Sequence, residues 1–156
     1  MTISRPKPPT AGIAPTPQPT EDVGFTHVAL PCSDIDASIA FYRRYADMEV
    51  VHRREDDGVG VVWLSDRTRP FVIVLMQVSR VDPRLTGFAH LGVACRDRDE
   101  VDRRCALARE EGCLADGPHD WGDPVGYWAF VRDPDGHNLE LSHGQRVGVA
   151  VAATRP

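Results

Sequence analysis

Thr26-His27-Val28-Ala29-Leu30-Pro31-Cys32-Ser33-Asp34 is answered further along the chain by Ala89-His90-Leu91-Gly92-Val93-Ala94-Cys95-Arg96-Asp97. His27 matches His90, Cys32 matches Cys95, Asp34 matches Asp97 and Asp36 matches Asp99, all at one offset of 63 residues. Each copy leads into a stretch with helical spacing and then a β-like run, Val61-Val62-Trp63-Leu64 in the first half and Trp128-Ala129-Phe130-Val131 in the second. Each half closes on a turn and one more strand, from Phe71 to Gln77 and from Asn138 to Ser142. A repeat constrains architecture before any local reading does, because a unit too small to bury its own apolar face must pack against its twin. The expected fold is α+β, two tandem βαβββ modules. If the modules pack face to face, the two strand-borne histidines converge.

Local signals agree with that frame. Residues from Phe25 to Leu30 read as a strand, and Ser33 with Asp36 three residues on reads as a capping box opening a helix. Ile35, Ile39 and Tyr42 form its apolar stripe. In the second module Asp97 or Asp99 is the expected cap of a helix carrying Val101, Cys105 and Ala108, with Gly112 as its stop. Asp133-Pro134-Asp135-Gly136 is the strongest turn in the chain, since proline presets φ and glycine accepts a positive one.

Composition narrows the function classes. The chain has 156 residues with 42% hydrophobic content, enough for one core built from two modules. A net charge of −5 argues against nucleic acid or an anionic membrane as partner. Four cysteines without a C-x-x-C spacing make no disulfide framework. No apolar run reaches membrane-spanning length and no signal-peptide core is present, so a cytoplasmic location is expected. Residues 1–24 carry Pro6, Pro8, Pro9, Pro15, Pro17 and Pro19 among polar residues and are read as a flexible arm. The folded domain is expected over 25–145, with modules at about 25–79 and 88–143, and 146–156 as a C-terminal tail.

Glu140 stands out within Asn138-Leu139-Glu140-Leu141-Ser142. Strand alternation puts Leu139 and Leu141 on one face and Glu140 on the other. A carboxylate buried in such a strand needs a partner, because an unpaired buried charge is very costly.

These stretches resemble the vicinal oxygen chelate superfamily, which includes glyoxalase I, bleomycin-resistance proteins, fosfomycin-modifying enzymes and extradiol dioxygenases. The resemblance runs from Phe25 to about Gln145. It is carried by Phe25-Thr26-His27-Val28-Ala29-Leu30, Ala40-Phe41-Tyr42, Phe88-Ala89-His90-Leu91 and Asp133-Pro134-Asp135-Gly136-His137-Asn138-Leu139-Glu140. It implies a U-shaped mixed sheet around a metal cleft, with the metal held by His27, His90 and Glu140. A fourth ligand position, on the last strand of the first module, falls in Val72-Ile73-Val74-Leu75 and holds no carboxylate; Gln77 is the nearest group able to coordinate.

Two histidines and one carboxylate with open positions match the facial triad of non-haem iron enzymes. The resemblance therefore implies a metal-dependent enzyme acting on a small molecule with vicinal oxygens, with oxygenase chemistry ahead of a glyoxalase I-like lyase or isomerase. Fe(II) or Mn(II) ranks ahead of Zn(II) or Ni(II). The expected catalytic residues are Glu140, His119 as a loop base, and Tyr127 in place of the tyrosine found before the closing turn of the dioxygenases. Alternatives are a fosfomycin-type thiol transferase, or a bleomycin-type drug-binding protein whose cleft Trp63, Trp121, Tyr127 and Trp128 would line. A homodimer is the expected assembly.

Overall fold

The computed structural model describes residues 24–154, so the proline-rich arm lies outside the described residues apart from Gly24. The first module comprises β1 (His27–Cys32), α1 (Ile35–Ala46), β2 (Glu49–Asp56), β3 (Val59–Ser65) and β4 (Val72–Gln77). The second comprises β5 (Leu91–Ala94), α2 (Arg98–Glu110), β6 (Leu114–Asp120), β7 (Tyr127–Arg132) and β8 (Asn138–His143). A short helix, α3 (Val147–Ala153), occupies the stretch expected as a tail. Each module forms its own four-stranded mixed sheet, in the orders β1-β4-β3-β2 and β5-β8-β7-β6. In both, the first strand runs parallel to the last and the remaining pairs are antiparallel.

The caps explain where the helices begin. Asp34, one residue past the expected Ser33, caps α1 by accepting from the backbone N–H groups of Asp36 and Ala37. Ser33 instead donates its hydroxyl and its N–H to Asp135 in the turn before β8. Asp97 caps α2 through the N–H of Glu100. A carboxylate at this place satisfies an orphan donor and faces the positive end of the helix dipole.

Both sheets contribute one face to a single core shared with the helices. Leu30, Cys32, Val62, Leu64, Ile73 and Leu75 of the first sheet meet Ile35, Ile39, Tyr42 and Tyr45 of α1. Ala129, Val131, Leu139 and Leu141 of the second meet Val101, Cys105 and Ala108 of α2 in the same cluster. Polar contacts tie the modules together: Tyr42 donates to Asp133, Tyr45 to Glu111, and Arg104 of α2 binds Asp47. Cys32 and Cys95 are buried at equivalent places, and burial pushes both thiols up to about 11. The other face of each sheet is turned away from this core, and in the second sheet it carries Glu140.

Candidate metal centre

Register places the second histidine and the glutamate together. Gly92 pairs with Glu140 across β5 and β8, and His90, two residues before Gly92, shares its face. His90 Nε2 stands 3.3 Å from Glu140 Oε2, and the glutamate side chain is only 8% exposed. Its other oxygen accepts a 2.6 Å hydrogen bond from the Gln145 amide. Phe130, paired with Glu140 in register, lies against the His90 ring at 5.0 Å.

Hydrogen bonding fixes what His90 offers. Its Nδ1 lies 2.7 Å from the carbonyl oxygen of Phe88, an acceptor only, so Nδ1 carries the hydrogen. In the neutral ring Nε2 then presents a lone pair to a carboxylate oxygen. Two acceptors face each other, an arrangement that a shared cation relieves. A histidine with one nitrogen held by a carbonyl and the other free is the usual posture of a metal ligand. The spacing also fits, since two donor atoms each about 2.1 Å from one ion and at right angles stand about 3.0 Å apart. One imidazole nitrogen and one carboxylate oxygen suit Mn(II), Fe(II) or Zn(II).

His27 holds the matching place in the first module, two residues before Ala29, with its Nδ1 3.0 Å from the Thr26 hydroxyl. It opens onto a pocket of about 510 Å³ lined by first-module residues alone. Among the described residues no cluster of three His, Cys, Asp or Glu forms, so His27 does not join His90 and Glu140 within this chain.

Register identifies the first-module counterpart of Glu140. Ala29, the counterpart of Gly92, pairs with Val74. Val74 therefore occupies the place that Glu140 holds in the second module. Gln77 lies on the other side of β4 with Ile73 and donates to the Ser33 carbonyl at 3.5 Å, so it is no ligand of this site.

His119 sits on β6 where a loop was expected. Gly117 and Pro118 suggested a loop, but β6 is an edge strand with two register shifts, where proline and glycine are tolerated. A Cβ at Gly117 would come within 3.0 Å of the Trp128 carbonyl, and its φ is +93°. His119 pairs with Trp128, packs on that ring at 4.8 Å and places Nε2 2.9 Å from Asp116. That hydrogen bond holds the Asp116 carboxyl below its ordinary range. His119 lies two strands from β8, roughly 10 Å across the sheet from the Glu140 strand.

Tyr127 is not in the site. It alternates with Trp128 and Phe130, so it points to the opposite face, where its hydroxyl donates to Asp102 of α2 at 2.6 Å. The bond to Asp102 pushes the phenol up to about 12. Gln145 was not foreseen, because a residue beyond the last strand gives no periodic signal of reaching back to it.

The sequence matches the Glyoxalase/Bleomycin resistance protein/Dioxygenase superfamily over residues 24–141. An uncharacterized protein of Pseudomonas aeruginosa is 38% identical over 129 residues, covering 80% of this chain and 91% of its own length. A putative lactoylglutathione lyase of Brassica oleracea is 32% identical, covering 75% of this chain; the chain spans only 43% of that relative. Among solved structures, a mutant fosfomycin resistance protein from Listeria monocytogenes, complexed with Mn(II) and a dihydroxypropylphosphonic acid, superposes with a TM-score of 0.64. Its sequence identity is 17%, with 82% of this chain and 97% of that one covered, a likeness of fold.

Proposed function

Because the chain belongs to the Glyoxalase/Bleomycin resistance protein/Dioxygenase superfamily, we propose that it is a metal-dependent enzyme acting on a small molecule with two adjacent oxygens. Its ion is held by His90 and Glu140 of one copy and by His27 of the partner subunit. The observation that carries this reading is the buried Glu140 carboxylate facing the free nitrogen of His90 at 3.3 Å. His27 stands exposed on the outer face of the other module, so a second copy is what completes the set.

A divalent ion held by these residues would supply Lewis-acid chemistry, acidifying a substrate hydroxyl or the C–H beside a substrate carbonyl. The protein's own groups do the rest. Gln145 holds one Glu140 oxygen and leaves the other beside His90. Phe130 and Trp128 form a dry wall along the same face. His119, hydrogen-bonded to Asp116, would take the substrate proton on this reading, as a histidine hydrogen-bonded to a carboxylate commonly does. With Val74 in place of a fourth ligand, a bound ion would keep open positions, and this favours oxygenase chemistry on an Fe(II)- or Mn(II)-loaded site. A second reading is a glyoxalase I-like lyase, favoured by the relative named as a putative lactoylglutathione lyase. The four free cysteines, three of them buried, suit a reducing cytoplasm.

Anaerobic loading with Fe(II), followed by oxygen-uptake assays on catechols and isomerisation assays on hemithioacetals, tests the reading. Oxygen uptake lost in His90→Ala and Glu140→Ala supports the oxygenase. Hemithioacetal turnover alone moves the lyase to first place, and neither activity with any divalent metal removes the enzyme reading.

A further inference from the structure

The pocket beside His27 has a composition that selects a ligand. Its floor is one register row, Ala29, Val74 and Trp63, continued by Val72 and Met76 on the same face. This is where the second module carries Glu140, so replacement of a carboxylate by Val74 turns a polar row into an apolar one. Trp63, 36% exposed, presents its ring with His52 packed on one side at 4.8 Å. Two guanidiniums, Arg54 and Arg69, stand among the lining residues, and none of those residues bears a carboxylate.

The arginines differ in how far they are committed. Arg54 lies 6.0 Å from the Trp63 ring centre and its Nε is held by Asp56. Arg69, on the loop before β4, has one side-chain hydrogen bond among the described residues, to the Thr68 hydroxyl, and no ion pair among them. A planar fork with free donors beside an apolar, aromatic floor is matched by a carboxylate on a flat hydrophobic body. A peptide-like ligand would strand its amides on Val72, Val74 and Met76, which can pair with none of them.

We propose that this pocket binds an aromatic or conjugated carboxylate, its ring on Trp63 and its carboxylate on Arg69. The substrate class follows on the reading of the site given above: a flat organic acid whose adjacent oxygens lie at His27. Stacking supplies affinity that neutral analogues share, and Arg69 supplies the preference for the acid.

Calorimetry with 1-naphthoate and its neutral amide, 1-naphthamide, tests this, with Mn(II) titrations run on the same proteins. The wild type is expected to prefer the acid by about tenfold, the scale of one charge-assisted hydrogen-bonded pair. Arg69→Met should erase that preference while leaving the amide unchanged, and Trp63→Ala should weaken both ligands. Both side chains are exposed, so neither change threatens the fold, and Mn(II) binding should be the same in all three proteins. Equal affinity for acid and amide in the wild type, or naphthoate affinity indifferent to both variants, overturns the proposal. If the naphthoate pattern holds and Mn(II) does not bind, the pocket stands and the metal reading falls. Mn(II) binding without acid preference does the reverse.

Discussion

Val74 and Glu140 occupy equivalent positions in the two modules, one paired with Ala29 and the other with Gly92. The duplication is therefore intact in backbone and broken in chemistry at one place. On the proposed reading that break would leave three ligands, and it leaves the first module an apolar pocket beside its histidine.

Restoring the symmetry should be informative. Val74→Glu is expected to add a donor and raise Mn(II) affinity by about tenfold or more, as filling an open position does, while lowering any turnover that needs that position. Isothermal titration reads the first effect. Unchanged affinity would show that Val74 does not face the ion.

Gln145 fixes the rotamer of Glu140 from outside the sheet. Removal of a group that orients a metal ligand typically costs 10–100-fold in affinity, and Gln145→Ala is expected to fall in roughly that range. Gln145→Glu should be worse, because it sets a second carboxylate against the first. Full Mn(II) affinity in both variants would show the hydrogen bond to be incidental.

His119 should separate proton transfer from metal binding. His119→Ala is expected to hold Mn(II) normally and to lose turnover by roughly 10²-fold, the low end for loss of a general base. The same variant should let the Asp116 carboxyl rise back toward its ordinary value, which a carbon-detected NMR titration follows. A fall in metal affinity would instead make His119 a ligand.

The turn before β8 carries a pH signature. Burial raises the Asp133 carboxyl above its ordinary range, against the lowering effect of the hydrogen bonds it accepts from His137, Tyr42 and Asp135. A raised folded-state value means that the native protein keeps a proton the unfolded chain releases. Stability from this group is thus full below about pH 4, the unfolded value, and declines as pH rises through the folded value. The stability difference between wild type and Asp133→Asn, measured by denaturant unfolding from pH 3.5 upward, should shift against the wild type as pH rises. A shift in its favour would contradict the burial argument.

The repeat made the architecture legible because strand, helix and three strands are each signalled by periodicity and turn chemistry. Glu140 was legible for the same reason, as a lone carboxylate on the face of an apolar strand opposite Leu139 and Leu141. Alternation also contained the answer for Tyr127, whose neighbours Trp128 and Phe130 share a face with Glu140. The β6 strand was hidden because Gly117 and Pro118 are loop signals in every setting except an edge strand with bulges. The Asp34 cap differs from the expected Ser33 because the serine is taken up by Asp135, 102 residues away. Nothing local could reveal that, nor the reach of Gln145. The repeat also shows that His27 and His90 are equivalent without showing that they face each other. Within one chain their faces belong to different outer surfaces of one shared core.

The central claim, a metal site shared between two copies, is tested most directly by subunit complementation. His27→Ala and Glu140→Ala chains with different tags are co-expressed, and the mixed dimer is purified and titrated with Mn(II). Each variant alone should bind weakly. The mixed dimer should regain one tight site, half the wild-type number, because one of its two sites combines an intact His27 with an intact His90 and Glu140. A mixed dimer that binds no better than its parents would contradict the account and return all three ligands to a single chain.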